Sequence, residues 1–367
     1  FLGGPNIRRF SYDFAKRFNV PYAIPINSAT SALSVGLASL NIGPGDEVIT
    51  PSFSFFATAE AISSVGAKPV FVEVDGSYLI DLECVEQAIN SSTKAILPVH
   101  LFGCPIDMDS LMGIAKNYGL RVIEDCAQAS GAQWNNKSVG SFGDVGCFSF
   151  FPTKNLGAAG DGGAVTTNDS NLAKRIQELA LHGMPRRYFH TNLGYNSRLD
   201  AIQAAVLNVK LTRLSTWIKK RQLIARKYLE SLNNLTGIAL PIVPNEISSK
   251  HAWNQFVVRI EQRSYNNELE LNDLKNYSQS EELILQMHSQ DRDNFKSNLE
   301  EEGVNTIIYY PIPIHLQPVY KDLGYKEGSL PVTEKVCSQV ISLPIFPELK
   351  SIQQSYVIEK VKEIFRQ

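Results

Sequence analysis

The first half of the chain alternates between short apolar runs and segments with helical periodicity. The run Ala95–Val99 is continuously apolar instead of alternating, which indicates a strand buried on both faces. Similar strand-like runs lie at Glu47–Thr50, Pro69–Val74, Ala95–Phe102, Leu120–Asp125, Val145–Phe151 and Gly163–Thr167. Helix-like segments lie at Ser31–Leu40, Phe56–Val65, Asp81–Ile89, Ser110–Tyr118 and Ser170–Leu181. This alternation predicts an α/β domain with a mainly parallel sheet, whose ligands bind beyond the carboxyl ends of the strands.

The pattern changes after Asn196. An amphipathic stretch rich in Lys and Arg, from Leu199 to about Leu232, predicts one long connecting helix. The elements predicted beyond it are strands at Gln255–Ile260 and Thr306–Tyr310 and helices at Asp291–Glu302 and Ile352–Phe365. The polar, weakly patterned segment Glu261–Gln290 is interpreted as a surface insertion. We therefore expect a large α/β domain over residues 1–208 and a smaller α+β domain over residues 209–367.

Composition narrows the class of protein. Of 367 residues, 44% are hydrophobic and 20% are charged, which is enough apolar material for a large core and excludes a disordered chain. The formal net charge is −2, from 35 Lys and Arg against 37 Asp and Glu. A nucleic-acid-binding protein normally has a basic balance or a basic stripe, so nucleic acid is not expected as a partner.

Cysteine and histidine usage bears on the compartment. The five cysteines are scattered without a C-x-x-C pair, which argues against a disulfide framework and fits reduced thiols in the cytoplasm. The six histidines show no H-x-x-x-H spacing, so no metal site is expected. No apolar stretch approaches the roughly 18–20 residues of a membrane span, and the first residues lack the features of a signal peptide. We expect a soluble cytoplasmic protein without membrane contacts.

A single lysine, Lys154, follows the buried apolar strand that ends near Ser149, and the glycine-rich segment Gly160–Gly163 comes after it. An amine in this place would be partly desolvated, which lowers its pKa and makes it a usable nucleophile for a Schiff base. The alternative is an ordinary surface lysine in a loop.

An acidic pair stands at the end of another strand, in the segment Val122–Gln128. Asp125 would be buried there and would need a cationic partner, because an unpaired buried carboxylate is costly. A protonated pyridine nitrogen is such a partner, and the pair would hold the ring as an electron sink. The alternative is a capping or ion-paired aspartate.

Two further segments follow strands. Asn27–Leu33 is a run of small residues that opens a helix, and a helix N-terminus suits a phosphate group, although Ser and Thr are also ordinary N-caps. Pro51–Thr58 contains several aromatic residues, one of which could stack on a flat cofactor, although core packing explains aromatic residues equally well.

The joint order of these segments resembles the DegT/DnrJ/EryC1/StrS family of pyridoxal-phosphate-dependent nucleotide-sugar aminotransferases. The resemblance extends over essentially the whole chain. It includes Gly43–Ile49, Pro98–Gly103, Leu181–Gly183, Gly194–Arg198, Tyr309–Gln317 and Ser342–Ile345. It implies the fold type I of pyridoxal-phosphate enzymes, similar to aspartate aminotransferase, and a homodimer with composite active sites. It also implies transfer of an amino group from an amino acid, usually glutamate, to a nucleotide-linked keto-sugar, in the biosynthesis of a surface polysaccharide or a related glycan.

The resemblance assigns roles to individual residues. Lys154 would hold pyridoxal 5′-phosphate covalently and act as the catalytic acid and base, Asp125 would pair with the pyridine nitrogen, and Gln128 would contact the phenolic oxygen. The phosphate ligands would be Thr30, Ser31 and Ser149, together with Asn196 from the neighbouring subunit. Phe55 would stack on the ring, and Tyr310 and His315 would contact the sugar.

Some features depart from the family pattern or leave alternatives. Ala29 replaces the usual glycine of a Ser-Gly-Thr motif, and Phe55 replaces a Trp or Tyr found in some relatives. Dehydratases of the family carry His in place of the lysine, so Lys154 argues against that branch. A catalytically silent sensor or regulatory relative remains the alternative function. The nucleotide and the carbon that receives the amino group, C3 or C4, stay open.

Overall fold

The computed structural model describes residues 3–245, 247–261 and 280–366. The helices are α1 Pro5–Phe18, α2 Ala29–Ser39, α3 Ala57–Ser64, α4 Leu82–Ala88, α5 Met108–Tyr118, α6 Ser170–Ala180, α7 Ala201–Leu211, α8 Leu214–Leu232, α9 Ser280–Glu301, α10 Pro331–Gln339 and α11 Ser351–Arg366. The longer strands are β1 Tyr22–Ile26, β2 Glu47–Pro51, β3 Lys68–Val72, β4 Thr93–Ile96, β5 Arg121–Asp125, β8 Val145–Ser149, β9 Gly163–Thr167, β12 Phe256–Ile260 and β13 Val340–Leu343. The two-residue strands are β6 Gln133–Trp134, β7 Lys137–Ser138, β10 Ile238–Ala239 and β11 Ser249–Lys250. Short 3₁₀ helices lie at Leu101–Gly103, Ile314–Leu316 and Pro318–Leu323.

A seven-stranded sheet in the order β1-β9-β8-β5-β4-β2-β3 forms the centre of the molecule. The neighbours from β8 to β3 are parallel, whereas β9 is antiparallel to both β1 and β8. Every residue of β8 and β9 is buried, as expected for strands covered on both faces. The prediction of a mainly parallel sheet in an α/β fold is confirmed.

This topology gathers the carboxyl ends of six strands at one edge. Because β9 is antiparallel to its two neighbours, β1 runs parallel to β8 and to the remaining strands. The residues that follow β1, β2, β5 and β8 therefore lie at the same edge, which is where ligands bind in sheets of this kind. The amino end of β9, at Gly163, lies there too.

Helix α8 connects two hydrophobic clusters. Leu214 and Ile218 pack with Phe10 and Phe14 of α1 against the central sheet. Farther along the helix, Tyr228 belongs to a second cluster with β12, β13 and α11. The chain therefore passes from the first hydrophobic cluster to the second within α8. The domain boundary expected between residues 208 and 209 stays a prediction.

Several expected elements differ from the structure. The helix expected from Leu199 to Leu232 is two helices, α7 and α8, because the chain turns at Thr212 and Arg213. The strand expected at Thr306–Tyr310 is absent from the described structure except for a single bridge between Ile307 and Ser342, a residue of the edge strand β13.

Other differences concern elements that the pattern did not predict. Helix α1 was missed, although Phe10, Phe14 and Phe18 recur every four residues and all three are buried. The elements α10 and β13 were also missed. Helix α9 begins already at Ser280, inside the expected insertion Glu261–Gln290, of which residues 262–279 lie outside the described structure. Within the described residues, the helices include none with the length and apolar character that a membrane crossing requires.

Candidate active site

A cavity of about 390 Å³ opens at the carboxyl edge of the sheet. It is lined by residues that follow β1, β2, β5 and β8 and by Tyr309 and Tyr310 from the C-terminal part of the chain. The structure brings seven of the ten predicted site residues to this cavity: Thr30, Phe55, Asp125, Gln128, Ser149, Lys154 and Tyr310.

The N-terminus of α2 forms one wall. Ser28 is the N-cap in an extended conformation, and its hydroxyl accepts a hydrogen bond from the N–H of Ser31 at 3.1 Å. The first-turn N–H groups of Ala29 and Thr30 have no acceptor within the helix, and both residues line the cavity. Gly163 permits this arrangement, because a Cβ atom there would lie 2.5 Å from the carbonyl carbon of Ser28. The wall is therefore suited to an anionic group.

Asp125 ends β5 and is only 4% exposed. One carboxylate oxygen accepts the N–H of Ala127 at 3.0 Å, and the other accepts the hydroxyl of Thr58 at 2.9 Å. Burial raises the pKa of this carboxyl group, while the two hydrogen bonds and the nearby Lys154 act in the opposite direction. Asp125 is thus a buried carboxylate beside a cavity, which suits a cationic group of a ligand.

Lys154 lies in the loop between β8 and β9. Its N–H donates to Phe151 O at 2.9 Å, and the neighbouring Asn155 side chain donates to Ala252 O at 2.9 Å, which fixes the loop from both sides. Burial lowers the pKa of the Lys154 amine to about 8, although the carboxylate of Asp125 opposes this change. A substantial fraction of the amine is therefore unprotonated near neutral pH, as a nucleophile or general base requires.

Gln128 connects the two parts of the chain. Its Oε1 accepts the N–H of Phe102 at 2.8 Å, and its Nε2 donates to the Tyr310 hydroxyl at 2.9 Å. Burial raises the pKa of Tyr310, so its hydroxyl stays protonated.

Phe55 is 57% exposed and lies 6.1 Å from the Tyr310 ring, measured between centroids. Its exposure leaves the ring available for stacking on a flat ligand.

Three predicted residues are not among those that line the cavity. Ser31 sits one position farther along α2, hydrogen-bonded to Ser28. Asn196 accepts two hydrogen bonds from Arg198, at 3.2 and 2.8 Å. A role for Asn196 in a partner's site stays a prediction.

The third residue, His315, is buried between two side chains. Its Nδ1 lies 2.7 Å from the Ser52 hydroxyl, and its Nε2 lies 3.1 Å from Glu334. Burial lowers the pKa of His315 despite this carboxylate. The ring thus fastens the C-terminal segment to the loop after β2. A sugar contact by His315 stays untested, and its position favours a structural role.

Sequence reasoning missed Thr58 and Ser54. Thr58 lies in the aromatic segment that the sequence analysis singled out, yet only the packing of α3 brings it to Asp125. Asp161 and Gln255, which also line the cavity, were missed as well. Ser54, Thr58 and Asp161 lie in segments that the sequence singles out for their aromatic residues or glycines, and Gln255 lies in no such segment.

His100, Glu124 and Cys126 form a buried cluster next to Asp125, with potential ligand atoms within 4.8 Å of one another. His100 Nδ1 accepts the N–H of Ile106, so Nε2 carries the proton and donates to Glu124 at 3.1 Å. Three N–H groups of the segment 140–143 also donate to the Glu124 carboxylate. Since these bonds occupy the His and Glu groups, the cluster is explained as a hydrogen-bonded core network.

Comparison with known proteins adds to this geometry. The model of the DegT/DnrJ/EryC1/StrS aminotransferase family matches residues 1–277 and 267–362. The chain belongs to this aminotransferase family. The fold is therefore that of the pyridoxal-phosphate-dependent transferases predicted from the sequence, and the chain is an aminotransferase.

Individual relatives are similar over nearly their whole length. The chain is 42% identical to a pleiotropic regulatory protein of Geobacillus stearothermophilus, covering 100% of this chain and 91% of that protein. It is 40% identical to the dTDP-3-amino-3,4,6-trideoxy-α-D-glucose transaminase of Streptomyces venezuelae, covering 99% and 88%. The crystal structure of S. venezuelae DesV in complex with a ketimine intermediate superimposes with a TM-score of 0.89, at 40% identity, and covers 100% of this chain and 91% of that one.

The residues of the cavity fit pyridoxal 5′-phosphate, the cofactor of this family. Its reactive aldehyde matches the amine of Lys154, whose pKa is lowered to about 8. Its pyridine nitrogen, when protonated, provides a cationic partner for the buried Asp125 carboxylate. Its phosphate matches the N–H groups at the start of α2 and the hydroxyl of Ser149.

Proposed function

We propose that this aminotransferase moves an amino group from an amino acid, L-glutamate, to the keto group of a nucleotide-linked sugar. The observation that carries the proposal is the meeting of Lys154 and Asp125 in one cavity, with the lowered pKa of the Lys154 amine. A silent regulatory protein would have no need of a nucleophilic amine beside a buried carboxylate.

When bound, pyridoxal phosphate supplies an electrophilic carbon and a conjugated ring that accepts the electron pair released at the carbon bearing the amino group. The residues of the chain do the rest. Lys154 provides an unprotonated amine as nucleophile and afterwards moves a proton at the substrate carbon as base and acid. Asp125 holds a proton on the ring nitrogen, and the α2 N-terminus with Ser149 binds the phosphate. Gln128, which bonds Tyr310 through one amide hydrogen, has a second hydrogen for the phenolic oxygen.

The size of the cleft supports a substrate larger than an amino acid. A second cavity of about 500 Å³ adjoins the first and shares Thr153, Lys154, Asn254, Gln255 and Tyr309 with it. Lys210 and Arg221 line this second cavity together with one carboxylate, Glu348. Arg221 is buried and donates through Nη1 to the carbonyl oxygens of Trp253, Asn254 and Ile345, so Lys210 is the residue that would meet the diphosphate of a nucleotide-linked sugar. We infer amination at C3, because the S. venezuelae relative is named for a 3-amino sugar.

We further propose a cytoplasmic homodimer with composite sites. Tyr188 is 80% exposed and Leu193 is 98% exposed, on the segment that leads to Asn196. Such exposed apolar side chains suit a surface that a second copy of the chain covers. The five cysteines are all unpaired, which fits a reducing compartment.

The test uses the purified enzyme with its cofactor. Adding L-glutamate should bleach the visible absorbance of the cofactor, and a panel of nucleotide-linked 3-amino and 4-amino sugars, run in reverse with 2-oxoglutarate, should identify the substrate. Lys154→Ala should abolish both reactions, whereas Lys174→Ala, on the exposed face of α6, should not. A wild-type enzyme whose absorbance stays unchanged with every donor would favour the regulatory alternative.

A further inference from the structure

Two buried hydroxyl groups connect Asp125 to the loop before α3. Thr58 is 1% exposed and Ser54 is 5% exposed. The Thr58 hydroxyl oxygen lies 2.9 Å from Oδ2 of Asp125, and the Ser54 hydroxyl oxygen lies 2.8 Å from that of Thr58. The three side chains thus form a continuous chain of hydrogen bonds that ends at the carboxylate.

The protons in this chain have a fixed direction. An ionised carboxylate only accepts hydrogen bonds, so Thr58 must donate its single hydroxyl hydrogen to Asp125. Thr58 then has no hydrogen left for Ser54, and Ser54 must donate to Thr58. Each hydrogen therefore points toward Asp125, and each donor polarises the next. A protonated Asp125 would not require this arrangement.

We propose that Ser54 and Thr58 are positioning residues, which orient the Asp125 carboxylate and keep it ionised opposite the pyridine nitrogen of the cofactor. The inference rests on the proposed function, in which Asp125 faces that nitrogen. Oδ1 is fixed in turn by the N–H of Ala127 at 3.0 Å. With one donor on each oxygen, the plane of the carboxylate is set, and each oxygen keeps a further lone pair for the ligand.

The pKa of Asp125 is set by opposing effects, and the hydrogen bond from Thr58 is one of them. Burial raises the pKa of Asp125, and the hydrogen bonds from Ala127 and Thr58, together with Lys154 and His100, lower it. The other titratable side chains near the carboxylate are Glu124, Cys126, Cys147 and Tyr310. A hydrogen bond to a charged group contributes about 1.5–3 kcal/mol, so losing the Thr58 hydroxyl should raise the pKa of Asp125 by about one to two units.

The experiment is a pH titration of the bound cofactor in the purified holoenzyme without substrate. Thr58→Val removes the hydroxyl and keeps the shape. The cofactor absorbance should change as Asp125 takes up its proton, and the pH at which half of this change has occurred, the midpoint, should rise by about one to two units. Thr58→Ser restores the hydroxyl and should return the midpoint to the wild-type value. The matched control is Thr50→Val on β2, where a fully buried hydroxyl that donates to Leu97 O is lost and the midpoint should not move.

Ser54→Ala provides a second, milder variant if Thr58→Val does not fold. It removes the upstream donor, which strengthens the Thr58–Asp125 bond by only about 10–30%, and it should therefore raise the midpoint by about 0.1 to 0.6 pH unit. If the midpoints of Thr58→Val and Ser54→Ala coincide with that of Thr50→Val, the proposed role of Ser54 and Thr58 is wrong. Because no substrate is present, the titration decides this even if the wild-type enzyme fails to act on any nucleotide-linked sugar, which would refute only the proposed function.

Discussion

The amine of Lys154 should react with a general acylating reagent much faster at pH 7 than an exposed lysine does. Burial lowers its pKa to about 8. At pH 7 about 10% of such an amine is unprotonated, against about 0.04% for an unperturbed lysine with a pKa near 10.4, a difference of about 200-fold. The test removes the carboxylate of Asp125. Its negative charge raises the pKa of Lys154, whereas burial lowers it.

Competitive labelling measures this directly. Cofactor-free protein is treated with trace acetic anhydride between pH 6 and pH 11, and mass spectrometry quantifies acetylation of Lys154, with the exposed Lys174 as the internal reference. The labelling curve of Lys154 should have its midpoint at about pH 8. In Asp125→Asn the midpoint should move to lower pH, because the attraction that stabilises the charged amine is gone.

Two results would refute this reasoning. A wild-type midpoint near pH 10 would mean that the Lys154 amine is as well solvated as a surface lysine. A midpoint that rises in Asp125→Asn would mean that the carboxylate does not act on the amine in the way the geometry implies. Circular dichroism of both proteins before labelling controls for loss of structure.

Three further predictions concern stability and are checked by thermal or urea unfolding. Ser28→Ala removes the N-cap of α2 and should lower the free energy of unfolding by about 1 kcal/mol, as well as weaken cofactor binding, which equilibrium dialysis measures. Burial lowers the pKa of His251 to about 3, below its unfolded value of about 6.5. The unfolded chain therefore takes up this proton first, and stability should fall as the pH drops below about 6.5, with a loss of about 2 kcal/mol from this group at pH 5. His251→Phe should show a flatter dependence, and equal slopes in both proteins would contradict the assignment. Gly146→Ala should prevent folding or destabilise the enzyme severely, because the added Cβ would lie 2.4 Å from a backbone Cα of a neighbouring turn. Gly113→Ala in α5, where nothing lies within 4 Å of the added Cβ, is its control and should be tolerated or stabilising.

The strand pattern and the ends of the strands could be predicted from the sequence because burial on both faces leaves a local signal. The continuous apolar runs correctly located β2, β5, β8 and β9 to within one or two residues. A polar residue at the end of such a run, or shortly after it, is expected at the edge of the sheet. Asp125 ends one run and Lys154 follows another by three residues, so both were expected there, with a capping aspartate and a surface lysine as alternatives, and the family resemblance supplied their roles.

The elements that the sequence did not predict correctly depend on partners far away along the chain. Thr306–Tyr310 has the composition of a strand and reaches the edge strand β13, but it pairs there only through the bridge between Ile307 and Ser342. The break between α7 and α8 carries neither Pro nor Gly. Leu211 before the break and Leu214 after it pack in the same cluster as α1, so neither a residue type nor a change of core marks the break locally.

The sequence by itself determined the fold class, the family and the order of residues along the edge of the sheet. Only the tertiary structure decided which side chains meet there. Thr58 reaches Asp125 across 67 residues, and Gln128 reaches Tyr310 across 182 residues. The physical reason is that hydrophobic periodicity is set by each element's own burial, whereas a hydrogen bond between two elements depends on how their surfaces pack. The same packing fastened His315 to Ser52 and Glu334 and placed its ring outside the lining of the cavity.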